Sequence, residues 1–383
     1  MRAVNWRIHH PEGQHRVIVT KELPGDLWLK TLTRADCRIE ICTSPKVLSV
    51  EEIAAAMGDH CRGVVGQLTE HWENTLLQTL QKAGGVVYSN YAVGFNNIDV
   101  AAATQYGIPV GNTPGVLTET TAQMAVALTF AAARRICEAD RYSRSGNFTG
   151  WLPTLFMGSL LWRKTVGVIG AGRIGEAYAR MMVEGHKMDL IYYDLQRNEG
   201  LENHVEAYNR FLAKQNEAPV SCKRAESVEE LLRESDCVSI HTILDPSTHH
   251  LINAERLALM KADAVLVNTS RGPVIHEADL VAHCQKHPDF RAGLDVFENE
   301  PALAPGITEL ENVVMVPHIA SATRWTREGM ATLAARNVAA VIMGYPAWQS
   351  SDISPFLDEN APKAAPSIIN AQELGMRFYT DRR

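Results

Sequence analysis

The sequence has 383 residues, of which 46% are hydrophobic and 21% charged, and its formal net charge is −7. This length favours two domains, and this composition excludes a chain that is disordered throughout. The acidic balance argues against a dedicated nucleic-acid binder. No apolar run reaches the 18 or so residues of a membrane span. Seven cysteines without a Cys-x-x-Cys pair favour reduced thiols over a disulfide framework or a zinc site.

The first part of the chain alternates between short apolar runs and helical patterns. The predicted strands are residues 16–20, 38–41, 63–65, 86–89 and 108–111. The predicted helices are residues 24–33, 50–57, 72–82 and 98–106. Such alternation indicates a parallel sheet with helices on both faces. A turn at residues 112–115 leads into one long connecting helix, predicted over residues 119–144 with Thr118 as its N-cap.

A second alternating series follows. Its predicted strands are residues 165–169, 190–193, 238–241, 264–268, 292–295 and 313–316, with helices between them. Residues 196–223 exceed a normal connection and predict an inserted surface helix at 202–215. A final helix at 325–343 stops at Gly344, and the tail from 350 onward is expected to be irregular.

These patterns predict an α/β protein of two Rossmann- or flavodoxin-like domains, with parallel sheets and an inter-domain cleft. Residues 118–325 form the middle domain. Residues 1–117 and 326–383 together form the other. A cleft of this kind closes to exclude water during a reaction.

A glycine motif begins the second series. Gly170, Gly172 and Gly175 follow an apolar strand and precede a helix, and Asp194 ends the next strand 19 residues after Gly175. This context is typical of a dinucleotide site. The first glycine allows the turn, the second the approach of the pyrophosphate, and the third close helix–strand packing. Asp194 accepts ribose hydroxyls and repels a 2′-phosphate, which favours NAD(H), although the nearby Arg197 softens that preference.

Three charged residues follow late strands of this series, at the edge where ligands bind in open α/β sheets. Arg271, Glu300 and His318 are the groups that reduction of a 2-keto acid needs. Arginine binds a carboxylate, histidine gives a proton to the developing alkoxide, and a carboxylate keeps that histidine protonated. Glu298 competes with Glu300 for the last role.

Three segments carry a resemblance to a known family. They are Asn-Thr-Ser-Arg-Gly at 268–272, Gly-Leu-Asp-Val-Phe-Glu-Asn-Glu-Pro at 293–301 and Pro-His-Ile-Ala at 317–320. Together with the glycine motif they resemble the signatures of D-isomer-specific 2-hydroxyacid dehydrogenases. Residues 66–70, 112–121 and 325–332 are similar to the plant-type hydroxypyruvate reductases of that family.

The resemblance implies roles for individual residues. Arg271 binds substrate, His318 is the general acid/base, Glu300 is its partner, and Glu298 becomes a bystander. Asp295 holds the nicotinamide carboxamide, with Thr269 and Arg271 nearby. Within the glycine motif, the cofactor-binding residues include Arg173 and Ile174.

The resemblance also implies which residues contact the substrate. The loop of Ala92, Val93 and Gly94 would bind the substrate carboxylate through its backbone N–H groups, the alternative being a plain strand-to-helix turn. Trp151 would reach into the active site of a partner subunit, the alternative being an ordinary buried tryptophan.

The resemblance implies an NAD-dependent oxidoreductase that reduces hydroxypyruvate to D-glycerate and glyoxylate to glycolate in the photorespiratory glycolate pathway. NAD(H) is the expected cofactor, with weak use of NADP(H). The expected partners are a small 2-keto acid and a second copy of the chain, without nucleic acid or membrane. No metal is expected, since pairs such as His9-His10 and His249-His250 lack ligand spacing.

Two departures from the family pattern stand out. Residue 243 is Ile where many relatives have Pro, which reshapes the adenine-side wall. The chain ends in Asp-Arg-Arg, not in the Ser-Lys-Leu peroxisomal signal, so an organelle matrix such as the mitochondrion, or the cytosol, stays open.

Three other functions remain as alternatives. Formate dehydrogenases carry Gln at the position of Glu300, and phosphoglycerate dehydrogenases usually carry further C-terminal regulatory domains. An NAD-sensing corepressor of the same fold is the alternative from another functional class, and turnover distinguishes it from an enzyme.

Overall fold

The computed structural model describes residues 5–380. The final tripeptide, on which the expectation about the compartment depends, lies outside them. The chain divides into two compact units. One combines the residues up to Leu117 with those from Ala322 onward, and the other is Thr118–Ser321. The sequence predicted the second boundary between the two domains after residue 325, whereas the structure has it after Ser321.

The first unit contains a six-stranded sheet. Its strands are β1 Trp6–His9, β2 His15–Val19, β3 Cys37–Cys42, β4 Gly63–Gly66, β5 Val87–Asn90 and β6 Val110–Gly111. Its helices in this part of the chain are α1 Leu27–Arg34, α2 Val50–Met57, α3 Asn74–Lys82 and α4 Val100–Gln105. The order β1-β3-β2-β4-β5-β6 is flavodoxin-like once β1 is set aside. The sequence did not predict β1, an antiparallel edge strand with mostly exposed residues.

The second unit contains a seven-stranded parallel sheet. Its strands are β7 Thr165–Ile169, β8 Asp189–Tyr193, β9 Cys222–Arg224, β10 Cys237–Ile240, β11 Val265–Asn268, β12 Arg291–Leu294 and β13 Val313–Met315. Its helices are α5 Thr118–Ala133, α6 Ile136–Arg144, α7 Arg173–His186, α8 Glu199–Lys214, α9 Val228–Glu234, α10 Ala254–Leu257 and α11 Glu277–Lys286. The order β13-β12-β11-β10-β7-β8-β9 reverses between β7 and β10, as in a dinucleotide-binding fold. The predicted α/β class with parallel sheets is confirmed.

The predicted long connecting helix is wrong, because the structure has two helices, α5 and α6. Arg135 lies between them in the left-handed region, with φ 55°. The Ser159 N–H donates to the carbonyl oxygen of Ala133 at 2.9 Å and so takes over one of the last helical acceptors. The Arg135 guanidinium pairs with Glu138, which also pairs with the buried Arg291 at 3.2 Å. This buried ion pair fixes the direction of α6.

The inserted helix is part of the core and not only a surface feature. α8 buries Leu201, Val205 and Leu212 in the apolar cluster of the second unit. The periodicity of its sequence predicted this helix, but the strand β9 that follows it was missed, since none of the three residues of β9 is fully buried.

The chain then returns to the first unit as α12, Arg324–Ile342. Eleven of its residues are buried, and it packs against α1, β4 and β5. In the tail, Ala365, Ile368 and Ala371 pack with Ala340 and Ala347, although the only regular element there within the described residues is a short 3-10 helix, Ser354–Phe356. Across residues 5–380, no helix combines the length and apolar character needed to cross a membrane.

Candidate active site

The glycine loop joins β7 to α7 at the point where the strand order reverses. Gly170 has φ +90°, and a Cβ there would lie 2.8 Å from the backbone of His241 and Thr242. A Cβ on Gly175 would lie 1.9 Å from the Gly170 oxygen, so the first turn of α7 packs directly on the loop. A Cβ on Gly172 would meet no atom within 4 Å. Open space above Gly172 is what the approach of a pyrophosphate requires.

The N-terminus of α7 is available to an anion. Gly172 is its N-cap, no side chain caps it, and Arg173 and Ile174 form its first turn. The unsatisfied N–H groups and the helix dipole favour phosphate at this position. The Asp194 carboxylate stabilises the loop, because it accepts hydrogen bonds from the Ala171 N–H at 2.8 Å and the Gln196 N–H at 3.1 Å.

Arg197 is not directed towards Asp194. Its guanidinium binds the Glu202 carboxylate at 2.7 Å, and Glu202 also accepts a hydrogen bond from the Tyr192 hydroxyl.

Asn198, which was not predicted from the sequence, donates to the Ala171 carbonyl oxygen at 2.8 Å and to Glu176 at 3.1 Å. The signal was its position as N-cap of α8, four residues after Asp194.

His318 and Glu300 form the central polar pair. Nδ1 of His318 lies 2.9 Å from Oε2 of Glu300, and both side chains are partly exposed. Burial works to raise the pKa of Glu300, but the hydrogen bond and charge of His318, the Phe297 N–H and the Arg271 guanidinium together hold that pKa below its usual range. The carboxylate therefore stays ionised beside the imidazole and fixes its orientation, leaving Nε2 as the atom for proton transfer.

Asp295 anchors the segment that carries His318. Its side chain is fully buried, and its two oxygens accept the N–H groups of Ile319 at 2.6 Å and Ala320 at 3.0 Å. Its carbonyl oxygen accepts the His318 N–H at 2.8 Å. His318 has φ 52°, a strained conformation for histidine that these three bonds stabilise. The nicotinamide contact expected of Asp295 stays a prediction.

Arg271 and Thr269 lie in the turn after β11. Asn268 builds the turn, since its Oδ1 accepts from Ser270 and its Nδ2 donates to the Arg271 carbonyl oxygen at 2.9 Å. Burial lowers the pKa of Arg271, and the charge of Glu300 opposes that shift, so the two groups are electrostatically coupled. The Thr269 hydroxyl is buried without a hydrogen-bond partner among residues 5–380. Such an orphaned hydroxyl fits contact with a ligand.

Glu298 does not compete with Glu300 for His318. Oε1 of Glu298 lies 2.7 Å from Nε2 of His250, and its Oε2 accepts the Glu277 N–H at 3.0 Å. Both oxygens of Glu298 are thus bound by residues other than His318.

The loop of Ala92, Val93 and Gly94 lies in the first unit, after β5. Its three carbonyl oxygens accept hydrogen bonds from the Thr113 N–H and from the side-chain amides of Asn112 and Asn90, at 2.8–3.0 Å. None of its three N–H groups donates to any residue within 5–380. This asymmetry is what an anion-binding nest shows. The sequence did not identify the two asparagines, although Asn112 opens the predicted turn.

Trp151 is 82% exposed, so it is not the ordinary buried tryptophan that was its alternative. Other large apolar side chains of this stretch are also exposed: Ile136, Phe148, Leu152, Met157, Leu160 and Trp162.

No group of three or more His, Cys, Asp or Glu within the described part of the chain is arranged to hold a metal ion. All seven cysteines are unpaired.

The second unit matches the family model "D-isomer specific 2-hydroxyacid dehydrogenase, NAD binding domain" over residues 126–320. The open Gly172, the uncapped α7 and the orphaned Thr269 hydroxyl fit that cofactor.

Three relatives extend the match beyond this unit. The chain is 57% identical to glycerate dehydrogenase from Cucumis sativus, over 98% of this chain and 99% of that protein. It is 42% identical to glyoxylate reductase from Thermococcus litoralis, over 86% of this chain and 94% of that protein. The crystal structure of the TT0316 protein from Thermus thermophilus superposes with a TM-score of 0.75 at 36% identity, over 86% of this chain and 97% of that chain. The chain belongs to the D-isomer-specific 2-hydroxyacid dehydrogenases, NAD-dependent oxidoreductases that act on small 2-hydroxy and 2-keto acids.

Proposed function

We propose that this protein reduces hydroxypyruvate to D-glycerate with NADH, and glyoxylate to glycolate at the same site. The observation that carries the proposal is the His318–Glu300 pair at 2.9 Å, electrostatically coupled to the half-buried Arg271. The near-full-length similarity to a protein named glycerate dehydrogenase supports this substrate class. The photorespiratory glycolate pathway is the proposed setting.

The nicotinamide, when bound, supplies the hydride for reduction. Arg271 binds the substrate through its guanidinium fork, which matches a carboxylate or the neighbouring keto oxygen. His318 donates the Nε2 proton to the oxygen that becomes the alkoxide. Glu300 stabilises the imidazolium before the transfer and orients it during the transfer.

The N–H groups of loop 92–94 are proposed as a second carboxylate site. Their support is the fully bonded set of carbonyl oxygens beside N–H groups that bond to nothing within residues 5–380. A loop fixed in this way loses little entropy when it binds an anion.

NADH is the proposed cofactor over NADPH. The Asp194 carboxylate at the end of β8 would repel a 2′-phosphate, and Arg197, which could offset that charge, is held by Glu202 at 2.7 Å. Use of NADP(H) is therefore expected to be weak.

A homodimer is proposed from the apolar side chains exposed between residues 136 and 162. Large apolar side chains that are exposed in such number along one segment are typical of a protein interface. Trp151 is the most exposed of them, and we propose that it contacts the partner subunit.

The test is NADH oxidation with hydroxypyruvate, glyoxylate and pyruvate in parallel, on wild type and His318→Ala. Hydroxypyruvate should turn over fastest, and the variant should lose at least about 10²-fold in kcat with an unchanged NADH dissociation constant. Tight NADH binding without turnover of any of the three acids would instead support a corepressor-like binding module. Sedimentation of wild type and Trp151→Asp tests the dimer.

A further inference from the structure

A cavity with basic side chains lies in the first unit, between α1, the C-terminal half of α12 and the tail. Its volume is about 170 Å³, and the polar residues around it include Thr31, Arg34, Arg336, Tyr345, Glu359 and Lys363. None of these belongs to the residues of the candidate active site, and all lie within one unit.

The cations at this cavity outnumber the acids. Glu359 is shared by Arg34 at 3.1 Å and by Lys30 at 3.3 Å. Asp358 is the other acid nearby, and its charge acts on Arg336. Three cations, Arg34, Arg336 and Lys363, and one carboxylate, Glu359, line the cavity, which leaves a surplus of two positive charges. Lys30 and Asp358, outside the lining, add one charge of each sign.

Arg336 is half-buried. Its Nη2 donates to the Asp358 carbonyl oxygen, but its Nε is buried without a hydrogen-bond partner among residues 5–380. Burial and the neighbouring Arg34 guanidinium both lower the pKa of Arg336, which means that the folded protein holds this charge at a cost. An anion in the cavity would offset both effects, since it would supply an opposite charge and an acceptor for Nε.

We propose that this cavity is a binding site for a small dianion, the phosphate group of a phosphomonoester or inorganic phosphate. Two guanidinium groups and a lysine suit a tetrahedral dianion, because arginine binds phosphate in a bidentate manner and the surplus of two charges is neutralised. The site is independent of the proposed reductase function.

The experiment is calorimetric titration of the full-length protein with inorganic phosphate, at low salt and in saturating NAD⁺ and D-glycerate. The two saturating ligands occupy the anion sites of the glycine loop and of the substrate. Wild type should bind one phosphate. Arg336→Met should weaken binding at least about tenfold, since it removes a charge-assisted pair, and Arg336→Lys should weaken it less.

Lys363→Ala changes only an exposed side chain at the cavity and serves if Arg336→Met fails to fold. It should weaken phosphate binding several-fold, whereas Lys82→Ala on α3 is the matched control and should leave it unchanged. A parallel titration with glycerol phosphate distinguishes the two sources, since tighter binding than inorganic phosphate identifies an organic phosphate as the ligand. Absence of binding to wild type, or equal affinity in wild type, Arg336→Met and Lys363→Ala, would overturn the proposal.

Discussion

At the scale of single residues, the backbone conformation of His318 depends on a buried carboxylate whose structural role the sequence motif does not reveal. This carboxylate is that of Asp295, whose buried side chain accepts two backbone N–H groups from the segment of His318. The resemblance implied a cofactor contact for this residue. The structure shows that it also stabilises a strained histidine backbone, which no spacing in the sequence reveals.

Asp295→Asn should separate these two roles. Asparagine keeps one acceptor but presents an NH₂ group to the second N–H donor, so residues 318–320 lose one anchor. We expect kcat for hydroxypyruvate to fall about tenfold, the size of one lost charge-assisted hydrogen bond, while the NADH dissociation constant changes little. A large loss of NADH affinity, measured by fluorescence titration, would show that the carboxylate binds the cofactor directly.

Glu70 provides a pH-dependent stability prediction. It is buried, with Oε2 accepting from the Gln67 N–H and the Trp72 indole and with Oε1 unsatisfied among the described residues. Burial raises its pKa, although the hydrogen bonds from the Trp72 indole and the Gln67 N–H and the charge of Lys21 oppose the shift. A raised folded-state pKa contributes stability below the unfolded pKa, and this contribution is lost as pH rises through the folded pKa.

In Glu70→Gln, stability does not fall in this way as pH rises, because the glutamine amide is neutral at every pH. Its oxygen can still accept the hydrogen bonds from Gln67 and Trp72. Relative to wild type, the variant should therefore gain stability between pH 4 and pH 7, by about 1.4 kcal/mol for each unit by which the pKa is raised. Urea unfolding at both pH values measures the difference. A difference between wild type and variant that does not depend on pH would contradict the assignment.

At the scale of elements, the sequence predicted regular strands and helices well where one face is buried. The glycine motif, the late strands and the periodicity of α8 all follow from local patterns. The break between α5 and α6 does not, because Glu138 at the start of α6 pairs with Arg291, which is distant in sequence but close in space. The edge strands β1 and β9 were missed for the related reason that their residues are mostly exposed.

The junction of β7 and α7 yields a paired prediction. Gly175→Ala places a Cβ against the Gly170 oxygen, so both stability and NADH affinity should fall. Gly172→Ala meets open space, so its unfolding midpoint should match wild type while NADH binds at least about tenfold more weakly, because the methyl group occupies the path of the pyrophosphate. Thermal unfolding without ligand and NADH fluorescence measure the two effects. Unchanged NADH affinity in Gly172→Ala would place the pyrophosphate elsewhere.

At the scale of the whole molecule, the second unit is a continuous segment with its own core. A fragment of residues 118–321 should therefore fold, bind NADH and lack turnover, since loop 92–94 is absent. It should also sediment as a dimer, because the exposed apolar stretch of residues 136–162 lies within it. Circular dichroism, NADH titration and sedimentation check this. A folded fragment that sediments as a monomer would argue against the proposed interface.

The division of the first unit between both ends of the chain has a consequence for biosynthesis. A ribosome completes β1–β6 long before it makes α12, the helix that covers β4 and β5. The apolar side chains of that sheet face, among them Val65 and Val87, lack their native cover while all of Thr118–Ser321 is being translated. The middle of the protein can therefore fold first, whereas the N-terminal part of the first unit is completed only when α12 has been made, and until then its uncovered sheet face favours aggregation.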